Sequence, residues 1–263
     1  MYDYFDSLAH PTLDGLWIDG KKGLSFSEYD AILVQRPNLI GSVVCGLPGV
    51  GSFAYEPFFN ACQNLTSNKY IFPVAPIESI KNIKSQLNKI KEIGFKGIKI
   101  HSRLLNAEYS SDVLNETFAV ANKLEMPIFL CTFCYSKNSN QTTIDLYKLI
   151  VNALKTTPKL NLILVHAGVH DLMLYYELAR QAESVMLDLS YTLLKYESIY
   201  FDKFRFLFSQ FDRKLLIGTD SPEFNYDQLE TEFNSLFDGI KIEKVNNICS
   251  GNMCKIYEKF NFK

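Results

Sequence analysis

Histidine is scarce in this 263-residue chain, which carries only His10, His101, His166 and His170. Net charge is nearly absent: 27 Lys and Arg stand against 29 Asp and Glu, a formal charge of -2. No bulk electrostatic pull toward nucleic acid or an anionic membrane is expected from that balance. Glycine (13) and proline (9) are few and follow no period, which excludes a collagen-like or low-complexity chain. No stretch reaches the roughly 18 uncharged apolar residues that a membrane-spanning helix needs. The opening MYDYFDSLAHPTLDG holds three acids and no basic run, so it does not read as a signal peptide. The expected location is therefore the cytoplasm, with the six cysteines as reduced thiols. Aromatics, by contrast, are plentiful. Twenty Phe and 15 Tyr within 47% hydrophobic residues exclude disorder and supply the core of one sizeable domain.

No linker, charge run or short repeat divides the sequence, and residues 1–263 read as a single domain. Short β-rich runs alternate with helical stretches. Strands are expected over 4–8, 41–47, 70–76, 97–101, 127–132, 160–165, 185–189 and 214–218. Several are continuous apolar runs (SVVCGL, PIFLC, LILVHA, KLLIG), the pattern of parallel strands covered on both faces. Ile80, Ile83, Leu87 and Ile90 recur at helical spacing ahead of Gly94, a C-cap. Ile144, Tyr147, Ile150, Val151 and Leu154 form a second helical face; 204–211, 229–237 and the stripe Val245, Ile248, Asn252, Ile256 suggest three more. Eight such alternations match the size and order of a (β/α)8 TIM barrel. A doubly wound sheet also alternates, but the chain has no GxGxxG after its first strand and no Walker A sequence. LPGVG at 47–51 reads as a βα turn.

In a parallel barrel the reactive groups gather at the carboxyl ends of the strands. The polar residues expected there are His10, Lys99, His101, Cys131, His166 and Asp220. Lys99 and His101, two apart, point to one side of an extended strand. A single histidine on a strand is usually a hydrogen-bonded structural residue; three of them with an acid at matching strand ends mark a site. Cys131 and Cys134 form a CxxC, but mid-chain and with no helix-opening context they do not read as a thioredoxin-type pair. His170 reads as a surface or helix-entry contact. Asp188 and Ser190 suit structural hydrogen bonding on the seventh strand as well as substrate contact. Asp14 and Trp17 fall in the loop after the first strand, a wall of the pocket, while the directions of Arg36 and Tyr55 stay open.

These segments resemble the amidohydrolase superfamily, in the branch of amidohydrolase-related hydrolases and metal-dependent decarboxylases. GFKGIKIHSR (94–103) resembles its fourth-strand segment, LNLILVHAGVH (160–170) its sixth, VMLDLS (185–190) its seventh and LLIGTDSP (215–222) its eighth. NICSGNMCKIY (247–257) is similar to its closing helix. Members usually open with Asp-x-His-x-His, both histidines binding a metal; here Asp6 and His10 are in place but Leu8 replaces the first histidine. Cys131 stands where the fifth strand normally ends in a ligand histidine.

The resemblance implies a hydrolase of a small carbonyl substrate (lactone, ester or amide), and two accounts of its centre stay open. In one, His10, Cys131 and Asp220 hold Zn²⁺ and His166 serves as acid and base. In the other, as in the metal-free lactonases of pyrone dicarboxylates, Asp220 is the general base and His10 and His166 assist. Lys99, His101 and Arg103 at one strand end suit a carboxylated substrate. A non-catalytic binding or scaffold barrel and a decarboxylase-type C–C lyase are the alternatives. No nucleic-acid or membrane partner is expected, and self-association into a homo-oligomer is left open.

Overall fold

A computed structural model describes residues 2–101, 110–135 and 143–258. Eight parallel strands follow one another round a single sheet in chain order. They are β1 (Tyr4–Ala9), β2 (Leu39–Cys45), β3 (Tyr70–Pro76), β4 (Gly97–Ile100), β5 (Ile128–Cys131), β6 (Leu162–Val165), β7 (Val185–Asp188) and β8 (Leu215–Leu216). Each is followed by a helix: α1 (Phe26–Gln35), α2 (Tyr55–Gln63), α3 (Ile83–Ile93), α4 (Ser111–Lys123), α5 (Thr143–Thr156), α6 (Leu172–Gln181), α7 (Glu197–Gln210) and α8 (Tyr226–Phe237). The architecture is the (β/α)8 barrel that the alternating pattern predicts.

Both faces of each strand are buried, which is why the strands read as unbroken apolar runs. Val43 and Cys45, Phe72 and Val74, and Ile163 and Val165 point into the barrel with Phe5, Leu8, Phe129 and Leu216. Their neighbours Val44, Ala75, Leu162 and Leu164 point outward and pack against the helices. On α3, Ile83, Leu87 and Ile90 are buried, and Gly94 ends the helix with φ 112°, a left-handed conformation that costs glycine little. The last helical segment, Asn252–Glu258, closes the amino-terminal end of the barrel. Met253, Ile256 and Tyr257 join the inner apolar cluster there. The Asn252 side chain donates to the carbonyls of Asp212 (2.7 Å) and Leu215 (2.8 Å), pinning that segment beneath β8.

The strand expected over 214–218 shortens to Leu215–Leu216. Past Leu216 the chain bonds to β1 across an irregular seam instead of a regular ladder. Ser7 N donates to Ile217 O (3.0 Å), Asp220 N to Leu8 O (2.9 Å) and His10 N to Ser221 O (2.8 Å). The register of β1 itself shifts between Asp6 and Ala9. The Asp6 carboxylate fills the seam, accepting from Thr219 N (2.9 Å), Thr219 Oγ1 (2.8 Å) and Leu8 N (3.2 Å). Gly218 makes this approach feasible. A Cβ there would lie 2.6 Å from Ser7 Oγ, 2.7 Å from Asp6 Oδ1 and 2.9 Å from Leu8 N. Gly218→Ala is accordingly expected to destabilise the fold by about 1–3 kcal/mol, the usual cost of overpacking. Chemical denaturation measures this, and an unchanged midpoint would show that the seam has slack.

Candidate active site

The carboxyl ends of the strands surround a cavity of about 160 Å³ lined by His10, Trp17, Ile18, Leu47, Lys99, His101, Phe133, His166, Tyr191, Asp220 and Glu223. Of the predicted residues, His10, Lys99, His101, His166 and Asp220 meet here. Arg103 lies outside the described residues. Cys131, which ends β5, is buried and absent from the lining; its thiol hydrogen-bonds His166. Arg36 and Tyr55 face elsewhere: Arg36 ion-pairs with Asp227 and Glu230, and the Tyr55 hydroxyl bonds Pro76 O and Gln86. His170 is exposed and bonds the Tyr200 hydroxyl at 2.7 Å, as a helix-entry contact should. All six cysteines are free thiols.

Within the cavity His10 and Asp220 form a pair. His10 Nε2 lies 3.3 Å from Asp220 Oδ1, while Nδ1 lies 2.7 Å from the Cys45 carbonyl oxygen. Both ring nitrogens therefore face acceptors, an arrangement that suits the doubly protonated imidazolium. Burial alone would lower the His10 pKa, but the hydrogen bonds to Asp220 and Cys45 outweigh it and raise the value to about 9. Burial pushes Asp220 the other way. The positive charges of His166, His10 and Lys99 prevail, and its carboxyl stays below the usual range, ionised at neutral pH.

His166 is held by a buried relay. Its Nδ1 donates to Ser190 O at 3.0 Å, which fixes the tautomer and turns Nε2 away from the backbone. Ser190 is fixed in turn by Asp188, whose Oδ2 accepts from the serine hydroxyl (2.5 Å) and whose Oδ1 accepts from its amide (3.1 Å). Asp188 Oδ1 also accepts from Ser7 Oγ (2.5 Å), tying β7 to β1. Structural bonding and support of the site thus coincide at Asp188. Burial lowers the His166 pKa, yet the Asp220 charge and the bond to Cys131 carry it above its ordinary value.

The walls are aromatic. The rings of Trp17 and His10 are 5.7 Å apart, and Trp17 Nε1 donates to Glu223 Oε1 at 2.8 Å, joining the loops after β1 and β8. Phe133 and Tyr191 stand edge-on to each other and to His166. Sequence reasoning did not name Phe133, Tyr191 or Glu223. Glu223 follows the GTDSP segment directly, which was the available signal; the two aromatics sit in loops whose direction no periodicity reveals.

A (β/α)8 barrel with histidines and an aspartate converging at the carboxyl ends of its strands has the fold of the TIM-barrel amidohydrolases. More narrowly, the chain is a member of the amidohydrolase family, whose profile matches residues 73–252. The match begins within β3, so the altered first strand lies outside it. No curated protein matches the sequence. Among solved structures, an uncharacterised TIM-barrel protein from Bordetella bronchiseptica superposes with a TM-score of 0.72 at 16% identity, covering 88% of this chain and 81% of that one. A probable 2-pyrone-4,6-dicarboxylic acid hydrolase from Acinetobacter baumannii, solved with citric acid bound, gives 0.63 at 13% identity, covering 97% and 99%. Dihydroorotase from Campylobacter jejuni gives 0.66 at 16% identity, covering 100% and 85%. At these identities the likeness is one of fold.

Family members generally use a metal, so the donor set here needs testing against one. Leu8 offers no donor and packs wholly buried among Phe5, Val43, Phe72 and Val165. His10 turns both nitrogens to acceptors, and Cys131 bonds His166. Among the described residues no three His, Cys, Asp or Glu side chains converge as a metal site. The predicted set of His10, Cys131 and Asp220 is not such a cluster, and these residues do not fit a zinc ion.

The His10–Asp220 pair has a testable pH signature. A raised histidine pKa gives stability that is complete below the unfolded value of about 6.5 and is lost as pH rises through about 9. The lowered Asp220 pKa gives stability present above the unfolded value of 3.8 and lost as pH falls through the folded one. Both contributions are complete between those unfolded values. In a long-range ¹H–¹⁵N titration the His10 ring is expected to stay protonated past neutrality, and in Asp220→Asn its pKa should fall well below about 9. A wild-type value at or below the ordinary one would contradict the pairing.

Proposed function

We propose that this barrel hydrolyses a small carbonyl substrate, a lactone or ester in preference to an amide, with Asp220 as general base and no metal in the step. The carrying observation is the His10–Asp220 pair facing the same cavity as His166. Asp220 is ionised and can accept a proton from an attacking water held against it. As the water oxygen bonds to the carbonyl carbon, negative charge grows on the carbonyl oxygen, and His10 and His166 supply the positive charge that stabilises it. The C–O bond to the leaving group then breaks, and the imidazolium of His166 protonates the departing alkoxide. A carboxylate of lowered pKa is a weak base, so the scheme favours carbonyls with good leaving groups over unactivated amides.

The cavity dimensions suit a compact substrate, and the aromatic walls suit a flat one. The probable 2-pyrone-4,6-dicarboxylic acid hydrolase among the similar structures is named for a flat ring of this sort. That supports the reading by analogy of fold.

Wild-type protein is expected to turn over members of a lactone and ester panel, and Asp220→Asn to lose about 10²–10⁴-fold in kcat/KM. A strong chelator should leave the wild-type rate intact. Abolition by the chelator, with recovery on adding Zn²⁺, would overturn the metal-free step. A wild type inert across the panel would favour a binding role for the barrel.

A further inference from the structure

Lys99 lines this cavity, and the proposed hydrolysis does not engage its charge. It lies on β4 in register with Pro76 of β3 and Phe129 of β5, and Phe129 belongs to the apolar cluster of the barrel interior. The residue is only 1% exposed, and its Nζ has no hydrogen-bond partner among the described residues. Buried cationic groups are ordinarily paired, because removing an ammonium from water without compensation costs several kcal/mol. The Asp220 charge acts on it through space, but among the described residues no hydrogen bond reaches the Nζ. Asp220 is already engaged by His10 at 3.3 Å, and the Asp220 charge and Cys131 favour the charged form of His166. His10 spends its second nitrogen on the Cys45 carbonyl, and His166 spends Nδ1 on Ser190. The Lys99 ammonium therefore presents its N–H donors and its positive charge to a cavity of about 160 Å³.

We propose that Lys99 is the anchor for a carboxylate of the substrate. The inference rests on the hydrolytic reading of this cavity and narrows it to small acyl compounds carrying a carboxylate distinct from the reacting carbonyl. The anion takes the Nζ donors, and the carbonyl rises toward Asp220 and His166. A neutral ester of similar size leaves the ammonium desolvated and unpaired, so it is rejected as strongly as the acid is held. Lys99 thus costs the empty protein stability and serves the occupied one, the trade expected of a functional rather than a structural charge.

The test compares wild type with Lys99→Met, Asp220→Asn and the exposed-surface control Lys84→Met. Acetate, malonate and succinate are the probes, with succinamide as the neutral counterpart. Binding is read by calorimetry at pH 7 and fixed ionic strength, and unliganded stability by thermal melting. Wild type and Lys84→Met are expected to bind at least one carboxylate and not succinamide. Lys99→Met should lose that affinity by roughly tenfold or more while melting higher than wild type without ligand. Asp220→Asn removes a negative charge beside the anion, so it should bind the carboxylate at least as tightly although its turnover is impaired. Failure of hydrolysis and failure of anchoring are thereby distinguishable. The proposal is overturned if no carboxylate binds the wild type, if succinamide binds as well as succinate, if Lys99→Met retains the affinity, or if it melts lower than wild type.

Discussion

The barrel closes on a buried carboxylate. Asp6 has no access to solvent, and burial lifts its pKa to about 6 against the pull of its hydrogen bonds. Those bonds reach across the seam where the regular ladder between the first and last strands gives out. A side chain thus does what backbone pairing does elsewhere in the sheet. The placement of His10 opposite Asp220 follows, since both residues lie just beyond the seam and inherit its register. Asp188 repeats the device one strand earlier, joining Ser7 to Ser190 and so to His166. Two internal acids that touch no cavity set the positions of the three groups that do.

The backbone beyond these acids is under tension. His166 (φ 66°), Ala167 (45°), Val169 (56°), Tyr191 (64°) and Asp220 (54°) all adopt left-handed conformations without being glycine. Each costs of order 1–3 kcal/mol and persists only where surrounding structure over-determines it. Here the determinants are visible: Thr192 Oγ1 holds the His166 carbonyl at 2.6 Å, and the Thr132 hydroxyl takes Gly168 N at 2.7 Å. Asp19, Ser52, Asn82 and Glu125 share the positive φ elsewhere, but these five cluster at the ends of β6, β7 and β8, where the lining residues gather.

Much of this was legible in the sequence, and the reasons differ by element. Strands buried on both faces announce themselves as apolar runs, so β3 spans the predicted 70–76 and the others end within a few residues of expectation. His10, His166 and Asp220 were legible as a group because strand ends of a barrel converge wherever the barrel forms. The partnership of His10 with Asp220 was not, since it depends on a register shift inside β1 that no pattern encodes. Nor was the relay through Asp188, because an aspartate on a buried strand reads alike whether it supports a histidine or a turn. Leu8 was the clearest single letter: it signalled an altered centre, and the structure places it in the apolar interior.

The indole that leans over His10 has an optical consequence. Trp17 is the chain's single tryptophan, and it spans the cavity mouth through its bond to Glu223. Its emission therefore comes from one place alone, beside an imidazole whose protonated form quenches indoles by accepting charge. Any molecule that enters and separates the two rings, or repolarises the histidine, changes the brightness of the whole protein. The molecule carries its own dye at the door.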